Sequence, residues 1–359
     1  MESYLTLILF GGFLTLLILG APITVSLAGA SMAAYMLLDK NPIALVQIAF
    51  TSVGNFPLMA LPAFVLAGAL MEAAGISKRL VDIAESLAGP VTGGLGAATV
   101  MACLFFGAIS GSGPATTAAV GMLMVPAMVK RDYDKSYASA VTAASGGLGI
   151  IIPPSIPLVI FGISAMGLMA PPEAIAQHGQ FASLSIPKLF VAGVVPGFIM
   201  ASTLVVTNYF IAKREGYKGL SENWSFGEVR HALRRGIWSI LAPFLILGGI
   251  YSGMFTPTES AVVAIFYSLF VGVFIHRELS FKSTIKSLST TTWITGRVLL
   301  ILFAATVFGR LLIEQKIPVV VAESLLGFTD NMYMVWALTI VLLLFVGMFM
   351  ETLAAIMII

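Results

Sequence analysis

The sequence predicts an all-α polytopic membrane protein built from inverted structural repeats, with re-entrant hairpins and broken helices. Three observations carry this. Of the 359 residues, 58% are hydrophobic and only 10% charged, with a mean hydropathy of +1.00. A soluble domain carries about 25% charged residues, so this composition cannot make a water-soluble surface, and soluble enzymes and disordered tails are excluded. The apolar runs are roughly 20 residues long and do not alternate with period two, which argues against a β-barrel. Related segments also recur about 240 residues apart.

In chain order, spanning segments are predicted at about 4–20, 22–38, 57–75, 136–168, 189–212, 237–253, 257–275 and 292–314. The first has no basic stretch before it and no cleavage site after it, so it reads as a retained helix, not a signal peptide. Two further stretches, 93–129 and 332–359, are apolar but interrupted at their centres by small or polar residues. Basic residues orient the whole. With Lys78 and Arg79 inside, the cytoplasmic loops collect 14 of the 19 Lys and Arg, including Lys130, Arg131, Lys213, Arg214, Arg234 and Arg235. Lys40, Lys188 and Lys316 are left outside, and Arg297 and Arg310 within a span. The N-terminus is then outside the cytoplasm. The scheme closes only if 93–129 enters and returns on the cytoplasmic side, as a re-entrant hairpin. By the same logic 332–359 re-enters from the outer side.

The repeat is legible in three places. Ala84-Glu-Ser-Leu-Ala-Gly89 recurs as Ala322-Glu-Ser-Leu-Leu-Gly327. The link Gly20-Ala-Pro22-Ile-Thr24 is answered by Phe255-Thr-Pro257-Thr-Glu259. Phe106-Gly-Ala-Ile-Ser-Gly-Ser-Gly-Pro114 is answered by Val346-Gly-Met-Phe-Met-Glu-Thr352. The corresponding links fall on opposite membrane faces, which is the pattern of inverted repeats in secondary transporters. Ile359 corresponds to Ala119, midway through the first hairpin, so the repeat predicts a polypeptide longer by roughly 50 residues or more.

Two motifs point to chemistry. Ser110-Gly-Ser112-Gly113-Pro-Ala-Thr116-Thr117 must reverse direction inside the membrane; its glycines allow the turn, and Pro114 suits the start of the second arm. Helix-end amides and carbonyls at such a turn need protein, water or ions in lipid. The hydroxyls of Ser110, Ser112, Thr116 and Thr117 are hard oxygen ligands of the kind small cations take. A plain small-residue helix contact is the competing reading, and reversal at membrane depth favours an ion or substrate site. Ser145-Gly-Gly-Leu-Gly149-Ile-Ile-Ile152-Pro153-Pro154-Ser155-Ile-Pro157 cannot continue a regular helix. Its unwound carbonyls suit Na⁺, and the helix start beyond it suits an anion; a structural kink is the simpler alternative.

Other residues carry less. Glu351-Thr352 holds the matching place in the second hairpin, as either a functional group at membrane depth or a neutralised carboxyl. Thr256-Pro-Thr-Glu259 reads as a helix start with a capping box. Arg310 and Glu314 form an i, i+4 pair, facing the bundle or the outer interface. His178, His231 and His276 lie in loops or at span ends without metal-ligand spacing and read as solvated. The lone Cys103 sits in an apolar run and reads as packing; the scattered methionines read as core filling. A net charge of +2 gives no reason to expect nucleic acid as a partner. No phosphate-binding GxxxxGK[ST] and no nucleophile–base set occurs, so neither nucleotide hydrolysis nor another enzymatic activity is expected.

With both hairpin motifs in view, the sequence resembles the large membrane subunit of the tripartite ATP-independent periplasmic (TRAP) transporters, the DctM-like family. The segments that carry the resemblance are Phe106–Ala118, Gly149–Ser155, Gly253–Ala261 and Gly347–Thr352. The resemblance implies an elevator-type member of the ion-transporter superfamily in the bacterial inner membrane, driven by Na⁺. It implies a periplasmic binding protein that delivers an organic acid, a small DctQ-like membrane subunit, and no cofactor beyond the coupling ion. C4-dicarboxylates and sugar acids such as sialic acid are the substrate classes. The first Na⁺ site would use Ser110 and backbone oxygens near Gly149, Ile152 and Pro154, with Ser112, Gly113, Thr116, Pro153 and Ser155 as neighbours. The second would involve Glu351 and Thr352.

The expected organisation follows. Residues 1–75 are scaffold helices of repeat one, 76–92 an interfacial arm helix, and 93–170 the transport-domain hairpin and broken helix. Residues 171–235 form an outer loop, connecting span and basic cytoplasmic loop; 236–315 are scaffold helices of repeat two, and 316–359 a second arm with the first part of hairpin two. A stand-alone sodium/carboxylate symporter is the main alternative, distinguished by uptake without a binding protein. A channel or a membrane-embedded enzyme comes third.

Overall fold

The computed structural model describes residues 2–54, 56–165, 176, 184–219, 225–317, 319–320, 323, 327, 331–347, 352 and 355–356. Among them there is helix and no strand. In chain order the helices are α1 (Glu2–Ile18), α2 (Ile23–Leu37), α3 (Ile43–Val53), a 3₁₀ turn (Phe56–Met59), α4 (Ala60–Ala73), α5 (Ile76–Ala88), α6 (Gly94–Ser110), α7 (Gly113–Val129), α8 (Lys135–Gly146), α9 (Leu148–Ile151) and α10 (Ile156–Ala165). They continue as α11 (Ile186–Glu215), α12 (Phe226–Tyr251), α13 (Pro257–Phe270) with a π turn (Val271–Ile275), α14 (Phe281–Glu314) and α15 (Met332–Gly347). Among the described residues five helical segments are long and apolar enough to cross a membrane, Lys135–Ala165, Ile186–Glu215, Phe226–Tyr251, Pro257–Ile275 and Phe281–Glu314, and the bent pair α4–α5 makes a sixth if taken as one span. The chain is thus an all-α polytopic membrane protein, as its composition requires. The eight predicted spans coincide with α1, α2, α4, α8–α10, α11, α12, α13 and α14; the 3₁₀ turn occupies the start of the predicted 57–75 span, and α3 had no counterpart in the reading of apolar runs.

The helices form two compact units, Pro57–Ile294 and Met1–Phe56 with Thr295–Ile359. In the second, α1, α2, α3 and the C-terminal part of α14 pack around Leu9, Phe13, Leu27, Ala34, Ala305 and Phe308. Phe308 is fully buried, with Phe10 edge-on at 5.8 Å between ring centroids. The pair Arg310–Glu314 forms at 3.2 Å and is joined by Lys40, 2.7 Å from the same carboxylate. No residue of α15 is buried.

The larger unit has two adjoining cores. One joins α5, α6, α7, α8 and α11 around Cys103, Phe106, Met124, Met128 and Leu148; Cys103 is fully buried there, a packing residue as read. The other joins α4, α5, α12 and α13 around Phe64, Met71, Ile246 and Ala264, and takes in Ile109 and Phe190. Helix starts follow local chemistry. Asp134 caps α8 by accepting from the amides of Ser136 (2.8 Å) and Tyr137 (3.1 Å), and these bonds hold its carboxyl below the usual carboxylate range. Thr256 and Glu259 form the expected reciprocal capping box at the start of α13.

His276 corrects an expectation. Of the three histidines read as solvated, His178 lies outside the described residues and His231 is exposed. His276, just past the π turn, is half-buried where α4 bends by 68° into α5. Its Nδ1 lies 2.8 Å from the Ala74 carbonyl, which can only accept, so Nδ1 carries the proton. Its Nε2 is buried with no partner. Burial pushes the imidazole pKa below 6.5, the nearby Arg79 charge adds to this, and the Ala74 carbonyl and Glu278 oppose it. Arg79 and Glu278 pair at 2.9 Å beside it. A depressed histidine pKa means that the unfolded chain takes up the proton first. Stability is therefore expected to be complete above about pH 6.5 and to decline below it. His276→Gln should flatten that slope in thermal melts between pH 5 and pH 8; an unchanged slope would show that the acid sensitivity arises elsewhere.

Candidate functional site

The first hairpin is fixed at its base before its tip is shaped. The arms α6 and α7 run antiparallel, with Thr99 Oγ1 3.6 Å from Met128 Sδ near their open ends. Asn208, buried in the apolar helix α11, donates from Nδ2 to the Gly93 carbonyl (3.0 Å) and accepts at Oδ1 from the Tyr137 hydroxyl (2.7 Å). The Gly93 amide donates to the Tyr217 carbonyl, and the rings of Tyr133 and Tyr217 stack at 4.1 Å. A buried amide of this kind is costly unless its groups are paired, and here both ends are. The base of the hairpin is thereby tied to α8 and α11.

At the tip, α6 ends on Gly111 in the left-handed conformation (φ +61°), whose amide donates to Gly107 O. Ser112 is extended and caps α7. The hydroxyls then close a ring. Thr116 Oγ1 donates to Ser112 O at 2.8 Å, which commits its proton. The 2.9 Å contact between Ser110 Oγ and Thr116 Oγ1 therefore takes the Ser110 proton. The Ser112 amide completes the circuit by donating to Ser110 Oγ at 3.4 Å. Each hydroxyl has one donor and two acceptor lone pairs, so Ser110 and Thr116 each keep one lone pair uncommitted. Both side chains are buried, at 3% and 0% exposure.

The break in the following span packs directly on this ring. Helix α8 stops at Gly146, α9 is a single turn, and Ile152–Ser155 is non-helical, with a cis Pro153–Pro154 peptide, before α10 begins. Gly149 sits so close that a Cβ there would collide with Thr116 Oγ1 and lie 2.8 Å from Ser112 O. Gly111 faces the Pro154 carbonyl, which a Cβ would approach to 2.5 Å. The Ile156 amide, free at the start of α10, donates to Gly111 O at 3.1 Å. Ser155 is buried and donates to the Ile150 carbonyl at 2.5 Å. Ser145 Oγ is fully buried with no hydrogen-bond partner.

The structure thus brings together Ser110, Ser112, Thr116, Gly149 and Pro154, with Gly113 beside the Gly146 carbonyl and Pro153 and Ser155 buried in the break. The Ile152 side chain turns away and packs against Gly197 of α11. Glu351 lies outside the described residues; Thr352 is helical and exposed. Ser145, Asn208 and the tyrosines at the hairpin base were not among the expected site residues. Ser145 opens the glycine–proline motif and could have been found there; Asn208 stands out only as an amide within an apolar span.

Chemically the tip residues Ser110, Ser112 and Thr116 and the facing Pro154 offer hydroxyl and carbonyl oxygens and carry no ionisable side chain. Hard, neutral oxygens suit a small cation such as Na⁺ and not a soft metal. No group of three or more His, Cys, Asp or Glu among the described residues could hold a metal by other means.

The description of the DctM component of tripartite ATP-independent periplasmic transporters matches residues 10–359. The chain is 40% identical over 98% of its length to the isethionate TRAP transporter permease protein DctMQ of Oleidesulfovibrio alaskensis, covering 53% of that protein. It is 38% identical over 84% of its length to the sialic acid TRAP transporter large permease protein SiaM of Vibrio cholerae, covering 66% of it. It is 36% identical over 84% of its length to the C4-dicarboxylate TRAP transporter large permease protein DctM of Rhodobacter capsulatus, covering 68% of it. The chain therefore spans about half to two thirds of the length of these relatives. Three relatives named as permeases agree with a hairpin and a broken helix closed around neutral oxygens: the chain belongs to the DctM component family of the tripartite ATP-independent periplasmic transporters.

Proposed function

We propose that this chain is the large permease subunit of a sodium-driven importer of an organic acid in the bacterial inner membrane, with its N-terminus in the periplasm. A periplasmic binding protein delivers the substrate, and a small membrane subunit completes the permease. The names of the relatives support the substrate class: sialic acid and C4-dicarboxylates are carboxylates, and isethionate, a sulfonate, widens the class to organic anions of either kind. The excess of Lys and Arg on one predicted face supports the orientation.

The observation that carries the sodium reading is the closure of the hairpin tip onto the break with neutral oxygens alone. A cation placed there brings a charge that no protein carboxylate cancels, so it raises the affinity of the adjacent space for an anion. The start of α7 adds the positive end of a helix dipole. Ion and substrate then raise each other's affinity, the coupling on which symport rests. Residues 93–170 would move as the transport domain of an elevator. A membrane potential of 100 mV supplies about 2.3 kcal/mol per net charge moved inward.

The test is uptake of a labelled organic acid into proteoliposomes holding the complete permease, with its binding protein outside. Uptake is expected to require external Na⁺ and to rise with an inward sodium gradient. Equal uptake in K⁺ or choline would refute the coupling. Uptake undiminished without the binding protein would instead identify a stand-alone symporter.

A further inference from the structure

Helix α12 presents two different faces at its start. Glu228, His231 and Arg235, spaced by three and four residues, line a pocket shared with α5. Arg230, Leu233, Arg234, Ile237, Leu241 and Phe244 follow the same spacing on another face. All six are exposed. Ile237, Leu241 and Phe244 belong to a helix apolar enough to span, so this part of the stripe faces lipid. At 1.5 Å per residue, Arg234 stands about 4–5 Å before Ile237 and Arg230 about 10 Å before it. The headgroup layer is about 5–7 Å deep on each side of the hydrocarbon. Arg234 therefore lies at the level of the lipid phosphates, and Arg230 one turn further out.

This pair differs from its neighbours in having nothing to neutralise it. Arg79 pairs with Glu278 at 2.9 Å and Arg214 with Glu215 at 3.5 Å. Arg131 acts on Glu85, and Lys286 on Glu72. Among the described residues neither the Arg230 nor the Arg234 side chain forms an ion pair. No acidic residue follows Glu228 in α12, and Glu228 belongs to the pocket face. The stripe thus sets two positive charges and no negative one directly against an apolar surface. A guanidinium fork matches phosphate oxygens, and residues four apart on a helix are close enough to grip one phosphodiester together. We propose that this stripe binds an anionic phospholipid of the phosphatidylglycerol type, its phosphate held by Arg230 and Arg234 and an acyl chain laid along Leu233, Ile237 and Leu241. A zwitterionic lipid brings its own cation against the arginines, so the stripe discriminates against it. The inference rests on the chain being a membrane protein; it is independent of sodium coupling and of which side the stripe faces.

Native mass spectrometry of the complete permease, delipidated and titrated with phosphatidylglycerol or phosphatidylcholine, tests it. Phosphatidylglycerol is expected to bind at least about tenfold more tightly, since each cation near an anionic headgroup contributes about fivefold. Arg230→Gln with Arg234→Gln should remove the preference. Both side chains are exposed and unpaired, so the delipidated variant should melt where the parent does. Added phosphatidylglycerol should raise the melting temperature of the parent alone. Lys213→Gln with Lys218→Gln removes the same charge at and beyond the end of α11 and should leave the preference intact. Equal binding of the two lipids would overturn the proposal, as it would if the small membrane subunit covered the stripe. A preference that survives the arginine variant, or that falls equally in the lysine variant, would overturn it as well, by showing a diffuse attraction instead of a site. Competition by soluble glycerol phosphate at micromolar concentration would do the same, by identifying a free anion as the ligand.

Discussion

Ser110→Ala is expected to raise the sodium concentration for half-maximal uptake by about tenfold or more, on the scale of a lost interaction with a charged group. The fold should barely register the change. Thr116 keeps its own bond to Ser112 O at 2.8 Å, so no buried hydroxyl is orphaned, and the loss is that of the Ser110–Thr116 bond and the long 3.4 Å bond from the Ser112 amide, about 1–2 kcal/mol together. Thr116→Val behaves differently in one respect: it removes a lone pair at the same site but also takes away the nearer acceptor of Ser110, leaving only Ser112 O at 3.4 Å, so stability should fall with sodium affinity. The measurement is uptake rate against external Na⁺ at fixed potential, paired with thermal melts. If Ser110→Ala leaves the sodium dependence where it was, the hydroxyl ring is a structural cap and the ion binds elsewhere.

Gly149→Ala is expected to abolish transport while the protein still inserts and folds. The added methyl would collide with Thr116 and sit 2.8 Å from the Ser112 carbonyl, a backbone atom that cannot swing aside. Overpacking of this kind costs about 1–3 kcal/mol, and it forces the break away from the hairpin tip. The result should be faster hydrogen exchange at the Ile156 amide, which is bonded across that seam, with exchange in α1 and α2 unaltered. Wild-type uptake in this variant would mean that the close approach of tip and break is not needed for turnover.

Much of this was legible because the informative residues act through local backbone rules. Gly111, Pro114 and the glycines and prolines clustered between Gly149 and Pro157 together disfavour an unbroken helix, so the hairpin tip and the broken span could be placed before any contact was known. The Thr256–Glu259 capping box is likewise a four-residue event. What escaped depends on distant partners. His276 is drawn inward by the carbonyl of Ala74, 202 residues away, and nothing near it in sequence announces this. Asn208 reaches Gly93 across 115 residues. The ring among Ser110, Ser112 and Thr116 lies between: its members were evident, but the order of donors followed only from the distances.

The bond from Ile156 to Gly111 O has a further consequence. It joins hairpin and break through main-chain atoms only, so a scan of side chains to alanine would pass over it entirely. Proline at position 156 would remove it selectively, because the first residue of a helix gives up no intrahelical bond to proline. A fastening with no side-chain identity also sets no demand on its neighbours' chemistry. On the transport reading proposed above, the residues around it could be exchanged to suit a different acid while the fastening stays as it is, which would make the hairpin tip a reusable mount.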